Sequence, residues 1–335
     1  MQARSDEVFL SLISQKSSIF DSFSPGRSLL RELFATRILL MKEKTIYALG
    51  FFDGVHKGHQ ALLNACCKLA EENGCQSGAV TFDLHPETRL SGAAPALINR
   101  LPDRSRLLKH FGADTFVSFP FTDSLRKKPW WEFLQMLQEQ FGAVGFVCGD
   151  DFRFGYKGQG NAQSLQTYCK ENGLSCAVVP EQTLDGTRIS STHIRQLLKD
   201  GNVAEAARFL GHPHILSGLV VEGQMIGRTI DVPTANLEVP EYVQLPKNGV
   251  YACKTAIDGK EYPAVTNIGC RPTVGGHHVT VEAWILDFDG YLYGQELTLA
   301  FYAFLREEKK FSSLEELKEE IQKNAAQTRK LLEKS

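Results

Sequence analysis

The chain has 335 residues, a length that favours two domains of roughly 150 residues each. Hydrophobic residues make up 43% and charged residues 23%, which is typical of a globular protein and too apolar for disorder. The 37 basic and 39 acidic residues leave a net charge of -2, so the composition offers no basic surface for nucleic acid. No run of about 18 apolar residues is present. We therefore expect neither nucleic acid nor a membrane as a partner.

Eight cysteines are spread along the chain without CxxC spacing, so they predict neither a zinc site nor a disulfide framework. Several of them, including Cys148, Cys176 and Cys253, lie in apolar runs, where a free cysteine packs like a small hydrophobic residue. Reduced thiols of this kind are typical of the cytoplasm, which is the compartment we expect.

Residues 1–44 form an N-terminal extension that we expect to be dispensable. Asp6 and Glu7 precede a short apolar stretch, where a secretory signal would carry positive charge. Met41 stands just before the first convincing strand, so our hypothesis is that translation begins there. The intact mass of the native protein tests this hypothesis, because a mass that includes residue 1 would contradict it.

Residues 45–190 alternate short apolar runs with helical patterns. This order is typical of a parallel, Rossmann-like α/β sheet covered by helices. The predicted strands are 45–50, 77–82, 114–119, 144–148 and 174–179. The predicted helices are 58–73, 103–111, 129–141 and 161–172, and Asn-Gly pairs suit the C-terminal caps of the first and last.

Residues 191–211 predict a connector of two short helices, and residues 212–335 then change to a strand pattern. The predicted strands are 215–222, 250–257, 262–267, 279–287 and 296–305, followed by a charged amphipathic helix at 312–332. The pairs Asp258-Gly259 and Asp289-Gly290 lie between strands, where Asp-Gly favours tight hairpin turns. This half is therefore expected to be a small antiparallel β-barrel with a C-terminal helix.

The segment GFFDGVHKGH (50–59) lies where the first predicted strand ends and the first helix begins. Ligands bind at such junctions in parallel sheets, and the helix N-terminus favours anions. His56 and His59 are three residues apart, so both can face one phosphoryl group as charge builds on it. A pair of structural histidines is the alternative interpretation. The HxGH pattern resembles the nucleotidyltransferase superfamily.

Two further segments belong to the same half. GDDFRFGYKGQGN (149–161) combines four glycines with Phe152 and Phe154, which suit a planar ring, although an ordinary loop with core aromatic residues is the alternative. RISSTHIR (188–195) places hydroxyl groups and Arg195 at a helix start. The hydroxyl groups suit a helix cap, whereas the arginine suits bidentate binding of a polyphosphate.

Together with TFDLHP (81–86), these segments resemble the adenylyltransferase half of bacterial bifunctional FAD synthetases. The resemblance implies that ATP contacts Gly50, Phe52, Asp53, Gly54, His56, His59, Ser191 and Arg195. It implies that FMN lies near Thr81, Asp150, Phe152, Phe154 and Asn161. Among these residues, the implied catalytic groups are His56, His59 and Arg195.

The C-terminal half contains GRTIDVPTANLEVP (227–240). Thr234 and Asn236 are alternate residues, so their oxygens lie on one side of an extended chain and suit a hard cation such as Mg2+. A turn with local hydrogen bonds is the alternative. Glu282 alternates with Val281 and Ala283 in a hydrophobic strand, where a carboxylate either faces the polar side or is functional.

With NGVYA (248–252), TNIGCRPTVGG (266–276) and LREEKKF (305–311), these segments resemble riboflavin kinase. The resemblance implies that Gly227, Arg228, Thr234 and Asn236 lie at MgATP, with Thr234 and Asn236 as ligands of Mg2+. It implies that Glu282 is the general base and, with Arg306, contacts the flavin. The pair Asp231-Val232 and the residue Asn324 depart from the residues usual in the family, so the effects of these departures stay open.

The order of the motifs predicts a Rossmann-like nucleotidyltransferase domain followed by a β-barrel riboflavin kinase domain. The implied enzyme phosphorylates riboflavin with ATP to FMN, then adenylylates FMN with a second ATP to FAD and pyrophosphate, using Mg2+ in both steps. Its partners would be these small molecules, and we expect a monomer or a weak homo-oligomer.

Three alternatives compete with this prediction. A nucleotidyltransferase with a degenerate C-terminal half is disfavoured by the intact Pro-Thr-Ala-Asn and Glu282. An aminoacyl-tRNA synthetase is disfavoured by the charge balance. A flavin-binding regulator without turnover is disfavoured by the retained His56, His59 and Glu282.

Overall fold

A computed structural model describes residues 43–83, 95–223, 232–273 and 276–333 of the chain. The hypothesis about Met41 and the predicted site residues Gly227 and Arg228 fall outside these ranges. No helix within the ranges is long and apolar enough to cross a membrane.

The first half is an α/β unit with a five-stranded parallel sheet. Its elements are β1 (Thr45–Leu49), α1 (Lys57–Glu72), β2 (Gln76–Phe82), α2 (Leu101–His110), β3 (Thr115–Phe119), α3 (Asp123–Arg126), α4 (Trp130–Phe141), β4 (Ala143–Gly149), β5 (Arg153–Phe154), β6 (Gly160–Asn161), α5 (Ala162–Glu171) and β7 (Ser175–Val179). The strand order is β3-β2-β1-β4-β7, which confirms the predicted parallel sheet. Because the order reverses between β1 and β4, a crevice opens outside the carboxyl ends of these two strands.

The helix boundaries in this half follow their capping residues. The side chain of His56 caps α1 by accepting a hydrogen bond from the backbone N–H of His59. Helix α4 ends at Gly142, whose φ of 68° is the left-handed conformation that glycine adopts without strain. Helix α2 begins at Leu101, two residues before the prediction, because Pro102 fits the first turn of a helix.

Four short elements lead from the sheet to the second half: β8 (Thr183–Leu184), β9 (Thr187–Arg188), α6 (Ser191–Lys199) and α7 (Val203–Leu210). The two helices confirm the predicted pair. Their apolar faces, including Ile194, Leu198 and Phe209, belong to the same hydrophobic core as Tyr251 and Phe301 of the second half. The connector therefore packs as part of the second half's core.

The second half is a closed six-stranded barrel with a C-terminal helix, as predicted. Its elements are β10 (His214–Val221), β11 (Ala235–Glu238), β12 (Gly249–Ile257), β13 (Lys260–Thr273), β14 (Gly276–Ile285), β15 (Glu296–Arg306) and α8 (Leu314–Leu332). The strands close in the order β10-β11-β14-β13-β12-β15, and each described pair is antiparallel.

The two predicted Asp-Gly turns differ in outcome. Asp258 and Gly259 join β12 to β13 with φ values of 50° and 78°, the positive values of a tight hairpin turn. The prediction for Asp289-Gly290 was wrong, because β14 ends at Ile285 and β15 begins only at Glu296. This pair lies in a longer loop that lines a pocket of the barrel.

The segment before α2 joins the two halves directly. The backbone N–H of Leu97 donates to the oxygen of Tyr242, and the N–H of Gln244 donates to the oxygen of Leu97, both at 2.7 Å. Asp103 on α2 is buried and accepts a hydrogen bond from Ser217 on β10 at 2.8 Å. These contacts hold the α/β half against the barrel.

Candidate active sites

The first crevice lies at the ends of β1 and β4 and encloses about 260 Å³. The residues predicted from sequence that line it are Gly50, His56, His59, Asp150, Phe152 and Ser191. Polar residues to which the sequence assigned no individual role also line it, including Asp151, Glu181, Gln182 and Arg188. The carboxyl edge of the sheet and the N-terminus of α1 thus meet in one cavity.

His56 and His59 line this crevice next to each other. Their rings are stacked, with centroids 3.7 Å apart. The Nδ1 atom of His56 accepts the backbone N–H of His59 at 3.3 Å, so the proton of a neutral His56 ring sits on Nε2. The Nδ1 atom of His59 is buried and has no hydrogen-bond partner among the described residues.

Burial keeps both histidines neutral. Desolvation lowers the pKa of His56 to about 4, against a smaller opposing effect of its backbone hydrogen bond. The pKa of His59 is lowered well below its usual value by the same cause, and the charges of Arg104 and of a protonated His56 act in the same direction. At neutral pH both rings therefore act as polar hydrogen-bonding groups without net charge.

The loop before His56 has an unusual backbone that outside groups hold in place. Phe52 and Val55 have φ values of 58° and 39°, a region that is strained for residues other than glycine. The carbonyl oxygen of Gly54 lies 3.0 Å from Nε2 of His212, and the Nε2 of Gln60 donates to the oxygen of Val55 at 2.8 Å. Tertiary contacts thus define this conformation.

Thr81 and Arg104 hold the start of the same loop. The Thr81 hydroxyl and one guanidinium nitrogen of Arg104 both donate to the carbonyl oxygen of Phe51 at 2.8 Å. Both side chains are fully buried. Burial lowers the pKa of Arg104 to about 10, which still leaves it charged at neutral pH. Thr81, a predicted FMN contact, therefore lies behind the loop and is absent from the crevice lining.

Asp53 and Arg195, both predicted at ATP, lie in contact with each other on the buried side of the loop. Nη2 of Arg195 donates to Oδ2 of Asp53 at 2.7 Å, and neither residue lines the crevice. Phe52 and Gly54 are also buried and absent from the lining. Ser191 does line it, but its hydroxyl donates to the backbone oxygen of Asp53 at 2.9 Å.

The predicted residues of the aromatic loop after β4 lie partly at the crevice and partly in the core. Phe152 lines the crevice, whereas Phe154 is buried against Trp130; the two phenyl rings stack with centroids 5.4 Å apart. Asn161 accepts the N–H of Ser164 at 2.9 Å and so caps α5. Asp150 lies at the exposed rim of the crevice.

Arg188 is the residue in the RISSTHIR segment whose charge reaches the first crevice. Its side chain is 54% exposed and pairs with Asp151 at 2.5 Å and Glu181 at 2.7 Å. The sequence offered one signal for it, since the motif carries an arginine at each end. Only the fold shows that the first arginine lines the cavity and the second does not.

The second crevice lies between the barrel and α8 and encloses about 290 Å³. Glu282 on β14 is directly opposite Asn236 on β11 and Asn267 on β13. Directly paired residues face the same side of a sheet, so one carboxylate and two amides converge there. The predicted residues lining this crevice are Thr234, Glu282 and Arg306, together with the apolar Val250, Val265, Trp284, Leu317 and Ile321.

A neighbouring pocket of about 340 Å³ opens beside the second crevice. Its walls include Val220, Phe288 and Tyr293, and Thr234 borders both cavities. Because Thr234 is shared, a ligand that spans the two cavities would pass its hydroxyl. The side-chain amide of Asn236 lies close to Gly223. A Cβ atom placed on this glycine would stand 2.2 Å from the amide nitrogen, so a larger residue would clash there.

Arg306 is fixed at the edge of the second crevice by α8. Its Nε lies 3.2 Å from Oδ1 of Asn324 and 3.3 Å from the carboxylate of Glu320. Burial lowers the pKa of Arg306, and the charge of Glu320 partly opposes this. Asn324 is buried and donates in turn to the backbone oxygen of Glu320. This asparagine therefore helps to orient the predicted flavin contact.

Family models match both halves of the chain. The FAD synthetase model matches residues 40–193, and the riboflavin kinase model matches residues 210–332. A solved structure described as a macrolide-efflux protein from Streptococcus pneumoniae is 31% identical, with a TM-score of 0.77. The match covers 85% of this chain and 94% of that one.

Curated relatives match over nearly the same span. The bifunctional riboflavin kinase/FMN adenylyltransferase of Listeria monocytogenes is 34% identical over 85% of this chain and 91% of its own length. The protein of the same name from Pseudomonas fluorescens is 37% identical over 85% of this chain and 92% of its own length. That from Escherichia coli K12 is 36% identical over 84% and 90%. The chain therefore belongs to the family of bifunctional riboflavin kinase/FMN adenylyltransferases.

Proposed function

We propose that the two crevices carry out the two reactions of this family in succession. The barrel half transfers the γ-phosphoryl group of ATP to riboflavin and forms FMN and ADP. The α/β half transfers an AMP unit from a second ATP to FMN and forms FAD and pyrophosphate. The observation that carries this proposal is that each half has its own crevice with its own polar groups, His56 and His59 in one and Glu282 in the other.

In the adenylyltransferase crevice, a phosphate oxygen of FMN attacks the α-phosphorus of ATP, and the bond to the pyrophosphate leaving group breaks. No proton needs to be removed from an ionised FMN phosphate, so positioning and charge stabilisation carry the rate. We assign the Nε2 proton of His56 and the ring of His59 as donors to the phosphoryl oxygens. The N-terminus of α1 adds its partial positive charge at the same place.

Arg188 is our candidate for the cation at the triphosphate. It lines the crevice, is always charged, and is held among the described residues by the surface carboxylates of Asp151 and Glu181. Exposed ion pairs of this kind contribute about 0–1 kcal/mol, so exchange of the carboxylates for phosphate is inexpensive. Phe152, which lines the same crevice, is our candidate for contact with a planar ring. Arg195, which the resemblance also placed at the phosphates, is absent from the lining of this crevice.

In the kinase crevice, Glu282 takes the proton of the primary ribityl hydroxyl as that oxygen attacks the γ-phosphorus, and ADP leaves. This assignment places riboflavin in the Glu282 crevice, where Trp284 and Ile321 offer apolar walls. Adenosine then occupies the neighbouring pocket beside Phe288 and Tyr293. The phosphates pass Thr234, which both cavities share.

The oxygen donors of Thr234, which borders both cavities, and of Asn236, two residues further along the chain, suit Mg2+. Thr234 offers a hydroxyl and Asn236 an amide oxygen, which are hard ligands of the kind Mg2+ accepts beside nucleotide phosphates. The described residues contain no group of three or more His, Cys, Asp or Glu side chains arranged to hold a metal, so the nucleotide would supply further ligands. When bound, the ion would neutralise phosphate charge. The proposed roles of Gly227 and Arg228 concern residues outside the described ranges.

We also propose a cytoplasmic location and a monomeric or weakly associating protein. All eight cysteines are free thiols, which suits a reducing compartment. The large exposed apolar side chains of the described residues, such as Trp131, Leu219 and Tyr291, lie on separate elements. Scattered residues of this kind are normal on a monomer surface.

Separation of products tests the proposed function. Purified protein is incubated with riboflavin and MgATP, and riboflavin, FMN and FAD are separated by chromatography over time. Transient FMN followed by FAD is expected. FMN alone would restrict the function to the barrel, and FAD formed only from added FMN would restrict it to the α/β half. No product from either substrate would contradict the proposal.

A further inference from the structure

We propose that Arg195 and Asp53 form a positioning pair that fixes the HxGH loop from behind, and that Arg195 does not contact ATP. This inference rests on the proposed adenylyltransferase site. It assigns to the second arginine of RISSTHIR a positioning role that acts through its contact with Asp53.

Two guanidinium nitrogens of Arg195 donate to protein groups behind the loop. Its Nη2 donates to Oδ2 of Asp53 at 2.7 Å, and its Nε donates to the backbone oxygen of Ala96 at 2.8 Å. The side chain is only 10% exposed. Arg188, by contrast, stands in the crevice with more than half of its side chain accessible.

Both carboxylate oxygens of Asp53 accept hydrogen bonds from groups behind the loop. Its Oδ1 accepts the backbone N–H groups of Ile98 at 2.9 Å and Asn99 at 3.2 Å, while its Oδ2 accepts Arg195. The carboxylate is 2% exposed. A buried ion pair that loses one partner leaves an uncompensated charge, so removal of either side chain should disturb the loop.

The pair acts on the most strained part of the site. Asp53 lies between Phe52 and Val55, the two residues of this loop other than glycine that have positive φ, and three residues before His56. The segment that binds Asp53 and Arg195 also pairs with the barrel through Leu97. The loop conformation that presents His56 is therefore anchored to α6 and to a segment that the barrel holds in place.

A double-mutant cycle tests the inference. Asp53→Asn, Arg195→Met and the double variant are compared by kcat and by KM for ATP in FAD formation from added FMN. Each single variant should lower kcat by about 10²-fold, the scale expected when reacting groups are misplaced by about 1 Å. Because Arg195 acts on the loop through its contact with Asp53, the double variant should match the single variants within about threefold.

The nucleotide readout separates positioning from phosphate binding. For the Asp53 and Arg195 variants, KM for ATP and the inhibition constant of pyrophosphate should stay within about threefold of wild type. Arg188→Gln is the matched control, and it should raise both constants because its side chain lines the crevice. Arg195→Lys, which keeps a charge for Asp53, should lose less kcat than Arg195→Met.

Several results would overturn the inference. Losses that multiply in the double variant, or a rise above about tenfold in KM for ATP with Arg195→Met alone, would place Arg195 on the nucleotide. Loss of riboflavin phosphorylation in the same samples would show a general collapse instead of a local effect. A wild-type protein that makes no FAD from FMN would contradict the proposed function itself, which is a separate outcome.

Discussion

The imidazole planes of His56 and His59 are inclined by only 13° and their centroids lie 3.7 Å apart. Two imidazolium cations in this arrangement would repel strongly, and burial lowers the pKa of both rings. The stack is therefore compatible with neutral rings. Adenylyl transfer at this site would use hydrogen bonds from uncharged imidazoles, with formal positive charge supplied by arginine.

Replacement of His59 by Gln tests the first crevice. We expect FAD formation from FMN to fall by about 10²–10³, the scale for loss of one donor to a transition state. Riboflavin phosphorylation, which uses the barrel crevice, should be unchanged and serves as the internal control. Equal loss of both activities would contradict the assignment of separate sites.

Replacement of Glu282 by Gln tests the second crevice. Loss of a general base should lower riboflavin phosphorylation by about 10²–10⁴ while FAD formation from added FMN is retained. Glu308→Gln is the matched control, because Glu308 lines the same crevice and has no proposed proton-transfer role. The assignment would fail if the Glu308 variant lost as much kinase activity as the Glu282 variant.

The stacked pair Phe152 and Phe154 should separate binding from stability. Phe152→Ala should raise KM in FAD formation, because this ring lines the first crevice. Phe154→Ala should lower the free energy of unfolding by about 3–5 kcal/mol, since its ring is buried in the core. Steady-state kinetics and urea unfolding of both variants measure KM and the free energy of unfolding. A raised KM with Phe154→Ala together with a large loss of stability with Phe152→Ala would contradict this assignment.

Acid should destabilise the fold through its buried histidines. Burial lowers the pKa of His56 to about 4 and of His214 to about 3. In the unfolded chain these histidines take up protons below about pH 6.5, whereas in the folded protein they stay neutral. The free energy of unfolding therefore decreases as the pH falls from 6.5 towards 4, and each histidine contributes about 1 kcal/mol per pH unit. Urea unfolding between pH 7 and pH 5 measures the slope.

His214→Leu provides the matched variant for the pH series. Both ring nitrogens of His214 lack a partner among the described residues, so the substitution removes a titrating group without breaking a described hydrogen bond. Its unfolding free energy should change less between pH 7 and pH 5 than that of the wild type. An identical pH dependence would show that His214 does not contribute.

The sequence predicted those features that depend on neighbouring residues. The spacing of His56 and His59 and their place after β1 are local properties, and both residues line the crevice as expected. Apolar runs likewise predicted the five parallel strands within a few residues. Asn161 shows the limit of such reasoning. From the sequence, this asparagine suits a ligand contact or a helix cap equally well, and in the structure it caps α5.

Features that depend on distant partners were not accessible from the sequence. The choice between Arg188 and Arg195 depends on Asp53, which lies 142 residues before Arg195 in the chain. The meeting of Glu282 with Asn236 and Asn267 depends on the register of three strands. The Asp289-Gly290 pair was wrongly predicted to form a tight hairpin turn, because an Asp-Gly pair does not indicate where the flanking strands end.

The core that α6 and α7 share with the barrel has a consequence for how the two activities can be separated. Ile98 and Ile189 of the first half belong to this core, together with Leu216 and Val220 of β10. A chain cut between the catalytic halves would leave apolar faces exposed to water on both fragments. A variant with only one of the two activities is therefore more readily obtained by point substitution in one crevice than by deletion of a domain.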